Sequence, residues 1–266
     1  MPKHIMHPGV CHDLARTVWP TVPSGPLVLV PLGSLEQHGP HLPLNTDSVI
    51  AQAVAHGAAA ALSPGAKCPA LIAPTLSYGA SGEHAGFRGT VSIGCEALHA
   101  VLVETVRSLA LWAGRVIFVN GHGGNTATLA DAGSQLRAEG HDIAWTCCDV
   151  PGGDAHAGRT ETSVMLHLAP ADVRMDAAVV GDTRPLSAVM PDLMAHGVRV
   201  ISPSGVLGDP TGASADEGAE IMAAMVSATV RRITHGVVNG RGRLVEPVHP
   251  TPAPKAVPTS ETEVDH

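Results

Sequence analysis

The stretch from Leu27 to Asp47 constrains the fold of this 266-residue chain more than any other. Its first part, Leu27 to Leu32, is an unbroken apolar run, which is typical of a parallel strand buried on both faces because such a strand shows no polar alternation. Two carboxylates and two imidazoles follow within a dozen residues, namely Glu36, His38, His41 and Asp47. Since open α/β sheets bind ligands beyond the carboxyl ends of their strands, this loop is predicted to form a functional site.

The residues of this loop favour metal binding, although each one alone has a plainer interpretation. Asp47 could be only a helix N-cap, and a single loop histidine or glutamate is usually a solvated surface residue. Glu36 and His38 are two positions apart, however, so both side chains leave the same side of an extended backbone. Pro40 and Pro43 stiffen the loop, which suits a fixed coordination geometry.

Composition narrows the range of partners. The formal net charge of -8, with only 16 lysines and arginines, argues against a nucleic-acid surface because phosphate binding needs a basic footprint. A small molecule or a peptide is the expected substrate. The sequence shows no long uncharged apolar run and no signal-peptide core, so we expect a cytoplasmic protein that does not enter the membrane. The five cysteines lack C-x-x-C spacing and are expected to be reduced thiols of the core.

A second strand end carries similar polar groups. The apolar segment from Ala70 to Pro74 runs into a glycine-rich loop that contains Ser77, Glu83 and His84, where the backbone can approach a ligand closely. An ordinary exposed loop is the alternative. Because the loop follows the carboxyl end of a strand, we expect Ser77 and His84 to contact substrate and Glu83 to take part in catalysis.

Two later strand ends repeat the pattern. The strand Arg115 to Val119 ends in N-G-H-G-G-N and delivers His122, which we interpret as a ligand, although glycine with histidine could form a plain strand-to-helix turn. The strand Asp142 to Val150 precedes His156 and Glu161. As an acid in the first turn of a helix, Glu161 could instead serve only the helix macrodipole.

The remaining patterns predict one α/β domain over residues 1–246. Residues 1–26 form an arm with a short helix near Asp13 to Val18, and residues 198–214 suggest a strand or two around a turn-rich loop. The tail, residues 247–266, is rich in proline and polar residues and is expected to be disordered because it cannot bury enough apolar surface. Helices are predicted over Asp47 to Leu62, Cys95 to Ala113, Thr126 to Ala138 and Ser214 to Thr234.

Five ordered motifs resemble the creatininase (creatinine amidohydrolase) family: G-S-L-E-Q-H-G-P-H-L-P-L-N-T-D, G-E-H-A-G-F-R-G-T, N-G-H-G-G-N, H-A-G-R-T-E-T-S and G-D-P-T-G-A-S. The resemblance implies a three-layer αβα sandwich with a mainly parallel central sheet, a two-metal centre, hydrolysis of an amide-type C–N bond and a homo-oligomer, with hexamers suggested by the family. By position, the implied metal ligands are Glu36, His38, a bridging Asp47 and His122, with Glu161 completing the centre and His156 beside the metals.

The chain departs from creatininase at one place. Creatinine-hydrolysing members look like N-G-H-Y-E-N where this chain has Gly123 and Gly124, so an aromatic ring and an acidic ligand are missing. Creatinine is therefore not the expected substrate, and Glu161 becomes the candidate for the missing acid. The finer pattern is most similar to the mycofactocin-system branch, whose members are peptidases that remove a C-terminal Val-Tyr dipeptide from a radical-modified precursor peptide.

The predicted mechanism follows from the donor set. Mixed carboxylate and imidazole donors suit two divalent ions such as Zn, Fe(II) or Mn(II). A water held between them would ionise near pH ~7 and attack the scissile carbonyl, while His156 or Glu83 moves a proton to the leaving nitrogen. Gly123 is predicted to contact substrate. Two alternatives stay open: a formamide or cyclic-amide hydrolase of cofactor biosynthesis, and a non-catalytic metal-binding scaffold.

Overall fold

Four parallel strands form the central sheet of the protein. The computed structural model describes residues 13–63 and 69–246, so the predicted tail and residues 1–12 of the N-terminal arm lie outside the described residues. The order along the sheet is β2-β1-β3-β4, and every neighbouring pair is parallel. The strands are β1 (Leu27–Leu32), β2 (Leu71–Ile72), β3 (Arg115–Asn120) and β4 (Ile143–Cys147).

Helices cover both faces of this sheet. Side chains alternate along β1, so Leu29 packs on one face while Val28 and Val30 pack on the other. The first face is covered by α1, α4 and α7, and the second by α2 and α3, which confirms the predicted three-layer αβα sandwich. The helices are α1 (Thr46–Leu62), α2 (Gly94–Leu109), α3 (Thr126–Ala138), α4 (Arg159–Leu168), α5 (Leu186–His196), α6 (Val198–Ile201) and α7 (Ala215–His235).

Most predicted elements are present, with shorter ends in three cases. β1 and α3 have the predicted bounds, and α1 and α7 differ from them by one residue at most at each end. β2 is shorter than predicted and ends before Pro74, which lacks the N–H that a strand needs. β4 ends at Cys147 because its partner strand β3 ends opposite it, at Asn120. α2 ends at Leu109, four residues before the predicted end at Ala113.

The predicted strands in residues 198–214 are wrong. This segment begins with the short helix α6, and its extended part forms only an isolated bridge between His156 and Leu207. In a strand, Val198 and Val200 would lie on the same face. Here Val198 is buried and Val200 is exposed. The preceding helix, α5, was not predicted because it contains Pro191, which normally ends a helix.

Smaller elements lie at both ends of the described chain. The predicted N-terminal helix is a single 3-10 turn, Leu14–Arg16. After α7 comes an antiparallel hairpin that no pattern predicted, made of β5 (Val237–Val238) and β6 (Leu244–Val245). Within residues 13–63 and 69–246, none of the helices has both the length and the apolar character needed to cross a membrane.

Candidate metal centre

The predicted site residues gather at the carboxyl ends of β1 and β3. The chain leaves β1 for β2 on one side and then returns to β3 on the other, so the crevice between β1 and β3 is the switch point where α/β sheets bind ligands. α1 begins beside this crevice because Gly33 and Gly121 have no side chain. A Cβ at Gly33 would lie 2.5 Å from Ser48 N, and one at Gly121 would collide with the carbonyl oxygen of Asp47. This close approach places Asp47 over the strand ends.

Glu36, Asp47 and His122 form one buried group of potential ligand atoms. His122 Nδ1 lies 3.1 Å from Glu36 Oε1 and 3.5 Å from Asp47 Oδ2. One atom from each residue lies within 4.8 Å of the other two. All three residues offer the carboxylate oxygen or imidazole nitrogen donors that bind ions such as Zn²⁺.

His38, His156 and Glu161 form a second group. His38 Nε2 lies 3.8 Å from Glu161 Oε2, and the ring centroids of His38 and His156 are 4.3 Å apart. Glu161 stands in the first turn of α4, where its Oε2 also accepts a hydrogen bond from Ala157 N at 2.6 Å. Glu161, the candidate for the acid missing at position 124, therefore lies at the centre.

Asp47 lies between these two groups. Its Oδ1 is 3.0 Å from His38 Nε2, while its Oδ2 faces His122. One carboxylate oxygen directed to each side is the arrangement that a bridging ligand needs. The N-cap of α1 is Asn45, so Asp47 is not the helix cap that the plainer interpretation suggested.

A third group joins Glu36, His84 and His156. His84 Nε2 lies 3.4 Å and His156 Nδ1 lies 3.8 Å from Glu36 Oε1. The centroids of the two rings are 4.5 Å apart. His84 comes from a 3-10 turn after β2 and His156 from the loop after β4, so all four strand ends contribute to one centre.

Three carboxylate oxygens in this centre are buried without a hydrogen-bond donor among the described residues: Glu36 Oε1, Glu36 Oε2 and Asp47 Oδ2. Burying a charged oxygen without a partner is costly, so these atoms fit a bound cation. Burial and the nearby Glu36 raise the pKa of Asp47 to about 6. Burial acts in the same direction on Glu36, but the imidazole of His122 outweighs it and holds the pKa of Glu36 below its ordinary value.

The imidazoles fall into two electrostatic classes. Burial lowers the pKa of His38, but the Asp47 carboxylate outweighs it and raises the pKa to about 10. In the same way Glu36 raises the pKa of His122 well above its ordinary value. Burial lowers the pKa of His84 to about 3, and burial with the neighbouring His38 lowers that of His156. The first two rings pair with carboxylates, whereas the pKa of each of the last two lies below its ordinary value, which suits these rings to hydrogen bonding or proton transfer.

Glu83 contacts the outer side of His122. Its Oε1 lies 3.3 Å from His122 Nε2, the ring atom opposite the one that faces Glu36. A carboxylate on the far nitrogen orients a metal-binding histidine. A Cβ at Gly124 would lie 2.5 Å from Glu83 Oε1 and from Ala80 O, so the glycine leaves the room that Glu83 occupies.

The other predicted site residues differ in how far they are buried and in whether they join a ligand group. Gly123 is exposed beside His122, with open space where a Cβ would stand. Ser77 is half-buried in the loop after β2 and belongs to none of the three groups found in the described residues. His41, which the sequence counted among the potential ligands, also lies outside these groups, and its Nε2 is 2.9 Å from Thr162 Oγ1.

Sequence reasoning missed three buried amides, those of Gln37, Asn120 and Asn125. The Asn125 side chain accepts from Ala80 N at 2.9 Å and donates to Gly33 O at 3.0 Å and to Asn120 Oδ1 at 3.1 Å. It thereby joins the loops that follow β1, β2 and β3. The two asparagines that flank the histidine in N-G-H-G-G-N were the available signal. Gln37, between two predicted ligands, lies against both His84 and His156.

Residues 15–233 match the family model described as creatininase, creatinine amidohydrolase. The chain belongs to the creatininase family. The match spans all four strands of the sheet and every residue of the three ligand groups. The predictions of this family and of a hydrolase acting on C–N bonds are thereby confirmed.

Curated relatives refine the position of the chain within the creatininase family. The mycofactocin precursor peptide peptidase of Mycolicibacterium smegmatis is 54% identical over 232 residues, covering 87% of this chain and 93% of the relative. The enzyme of the same name from Mycobacterium tuberculosis is 51% identical over 240 residues, covering 88% and 96%. A deformylase of Methanothermobacter thermautotrophicus, acting on a formylaminopyrimidine 5'-monophosphate, is 39% identical over only 143 residues, or 53% of this chain.

Solved creatininase structures confirm the fold. A manganese form of creatininase superposes with a TM-score of 0.68 at 27% identity, covering 84% of this chain and 98% of that one. A mutant creatininase of Zn–Zn type gives a TM-score of 0.67 at 26% identity, covering 85% and 98%. Metal-bound relatives and the buried ligand groups of this chain together indicate a metal-binding centre.

Proposed function

We propose that this creatininase-family chain is a two-metal peptidase that cleaves a mycofactocin precursor peptide near its C terminus. The observation that carries the chemistry is a set of buried carboxylate oxygens of Glu36 and Asp47 at the switch point of the sheet. They face imidazoles but accept no hydrogen bond from the described residues. The substrate is supported by relatives of that name that align over nearly their whole length. The sequence resemblance adds that the released fragment is a Val-Tyr dipeptide.

The two ions would be held on either side of Asp47. Glu36 and His122 would hold one with Asp47 Oδ2, and His38 and Glu161 the other with Asp47 Oδ1. Zn, Mn(II) and Fe(II) all suit this mixture of oxygen and nitrogen donors. Ions bound there supply Lewis acidity at the scissile carbonyl and lower the pKa of a shared water to about 7.

His156 is the better of the two predicted proton carriers. Its ring is buried and neutral, and its Nδ1 faces the carboxylate cluster. It would accept one proton from the attacking water and deliver it to the amide nitrogen as the C–N bond breaks. The second proton of the water passes from the new carboxyl group to the amine, so the products are a carboxylate and a protonated amine. Glu83, the other predicted carrier, keeps His122 oriented through its far nitrogen.

The glycines after β3 favour a peptide over creatinine. Gly123 is exposed and borders open space, and neither it nor Gly124 provides a ring for stacking a small planar substrate. An extended peptide can therefore approach His122 from solvent. His84 and Ser77, on the neighbouring loop, are the proposed side-chain contacts.

The test is a product assay on reconstituted protein. The purified chain, loaded in turn with Zn, Mn(II) or Fe(II), is incubated with a radical-modified precursor peptide that ends in Val-Tyr, and released fragments are identified by mass spectrometry. Val-Tyr release that stops on chelation and returns on metal addition is the expected result. Metal-loaded, folded protein that releases no dipeptide would overturn the proposed substrate.

The deformylase relative makes formamide hydrolysis the alternative to test beside it. Release of formate from a formylaminopyrimidine, without dipeptide release, would favour that reading. Metal binding with neither activity would favour a scaffold. We also propose a cytoplasmic location and a homo-oligomer, for which the family resemblance suggests a hexamer; light scattering of the purified protein measures the subunit number.

A further inference from the structure

We propose that Gln37 is a positioning residue that holds His84 and His156 in the same neutral Nε2–H tautomer, so that His84 presents a hydrogen-bond donor to the metal centre and His156 an acceptor. The tautomers are argued from hydrogen-bond geometry alone. Their consequence for catalysis rests on the proposed function. The Gln37 amide nitrogen lies 2.9 Å from His84 Nδ1 and 3.0 Å from His156 Nε2, so it is within hydrogen-bond distance of both rings.

The orientation of the Gln37 amide is determined by two backbone groups. Its Oε1 accepts a hydrogen bond from Gly39 N at 2.9 Å, and its Nε2 donates to Gly205 O at 3.0 Å. A carbonyl oxygen can only accept and a backbone N–H can only donate, so the amide cannot be flipped. Gly205 reaches this position because it has a φ of +85°, and a Cβ there would collide with Gln37 Oε1.

His84 receives the second amide hydrogen. Its Nδ1 lies 2.9 Å from Gln37 Nε2, which carries two hydrogens and has given one to Gly205. An Nδ1 that accepts this hydrogen carries none itself, so the single proton of the neutral ring is on Nε2. That N–H lies 3.4 Å from Glu36 Oε1, inside the centre.

His156 is turned the opposite way. Its Nε2 lies 2.8 Å from the backbone oxygen of Gln37, which cannot donate, so Nε2 must carry the hydrogen. Nε2 is also 3.0 Å from the Gln37 amide nitrogen, but both hydrogens of that nitrogen already have acceptors. Its Nδ1 faces the centre at 3.8 Å from Glu36 Oε1, which is too far for a direct hydrogen bond, so this oxygen does not hold a hydrogen on Nδ1 and the single proton of the ring stays on Nε2.

One tautomer therefore has two opposite effects at the centre. An imidazole nitrogen that carries hydrogen cannot bind a metal, so the group of Glu36, His84 and His156 is not a third ion site. His84 can donate to Glu36 or to a substrate oxygen. His156 offers a lone pair, which is what a base that accepts a proton from water requires.

The first test reads the tautomers directly in the zinc-loaded protein. With ¹⁵N-labelled histidine, long-range ¹H–¹⁵N correlation spectra distinguish protonated, free and metal-bound ring nitrogens. We expect protonated Nε2 and free Nδ1 for both His84 and His156. A protonated Nδ1 or a zinc-bound Nε2 at His84 would overturn the proposal without any variant.

The second test removes the amide donor with Gln37→Met, which keeps a side chain of similar length. We expect His84 to lose its single tautomer while His156 keeps its own, because the partner of His156 is the backbone oxygen of residue 37. The exposed Gln52→Met on α1 is the matched control and should change neither ring. An unchanged His84 spectrum in folded Gln37→Met protein would refute the role of the amide.

Kinetics then separate positioning from binding. Residues that orient a metal centre typically contribute about 10–100-fold, so Gln37→Met should lower kcat by roughly that factor with KM little changed and two ions retained. An unchanged kcat with a randomised His84 would refute the catalytic consequence. Fixed tautomers in a protein that cleaves no peptide would support the present proposal and count against the proposed substrate, so the two fail separately.

Discussion

The two sides of the metal centre differ in how tightly the fold holds them. On the side of β1 and β3, the side chains of Glu36, Asp47 and His122 are at most 5% exposed. On the side of β4, Glu161 is 19% exposed and follows a loop in which Ala157 has a φ of +51°. The first side is buried against the ends of β1 and β3, where the start of α1 packs closely, whereas the second side includes the more exposed Glu161 at the start of α4.

This difference indicates which side of the centre can accept a different ligand residue in the course of evolution. On the sheet side, α1 and the strand ends approach each other so closely that there is no room for a side chain at Gly33 or Gly121. The missing acid at position 124 is on that side, and Glu83 occupies the space beside it. We infer that the replacement acid, Glu161, comes from the β4 side because a loop and helix end can deliver a carboxylate without rebuilding the sheet.

The largest expected effect is that of Asp47→Asn on the sheet side. The substitution keeps size but removes the charge shared by the two proposed ions, so activity should fall by more than the ~10–100-fold typical of residues that only orient ligands, with loss of bound metal. Metal analysis and the dipeptide assay measure this. The melting temperature of the metal-free protein should change little, because the cost of burying the carboxylate offsets its contact with His38.

The control for this prediction is Asp131→Asn, an exposed carboxylate on α3. It should leave metal content and activity unchanged. Full activity in the Asp47→Asn protein with two bound ions would contradict the bridging role and would remove the distinction between the two sides.

Glu161→Gln tests the β4 side and should lose at least one ion. As a helix-end acid alone, Glu161 would contribute only about 0.3–1 kcal/mol through the macrodipole, and its amide would keep both ions. The matched control is Glu96→Gln, an exposed acid in the first turn of α2. Two ions bound at wild-type affinity in Glu161→Gln protein would refute the ligand role.

A smaller effect is expected from Gly33→Ala, which tests the packing of the sheet side. The added Cβ would lie 2.5 Å from Ser48 N and would push α1 away, so the free energy of unfolding should fall by about 1–3 kcal/mol. Gly123→Ala places a methyl group in open space and should stay within about 0.5 kcal/mol. Equal stability of both variants in denaturant titrations would show that the sheet side is not tightly packed.

The smallest effect is expected from Ala157→Gly in the loop after β4. Glycine relieves a left-handed conformation that costs about 1–2 kcal/mol, but it also removes a buried methyl group worth about 0.8 kcal/mol. The free energy of unfolding should therefore change by less than about 1 kcal/mol, as measured by urea titration. A loss above about 2 kcal/mol would mean that this loop is packed as firmly as the sheet side.

The sequence by itself determined the central strand and the inventory of ligands. The apolar run of β1 predicts a buried parallel strand because its signal is local, and polar residues placed just beyond strand ends must meet at one edge of a parallel sheet. Glu36, His38, Asp47 and His122 could be named for that reason. The same pattern placed Glu161 beyond a strand end, but its role as the missing acidic ligand was predicted only because the family pattern has an acid where this chain has Gly124.

Only the tertiary structure decided which atoms face one another. Gln37 contacts His84 and His156, which lie 47 and 119 positions further along the chain. Glu83 occupies the space beside Gly124. Neither contact has a local sequence signal, because the partner of a buried polar atom depends on which distant loops converge there. Residues 198–201 also depended on the tertiary structure. Their apolar pattern is typical of a strand, but they form the helix α6 because packing, rather than alternation, determined their conformation.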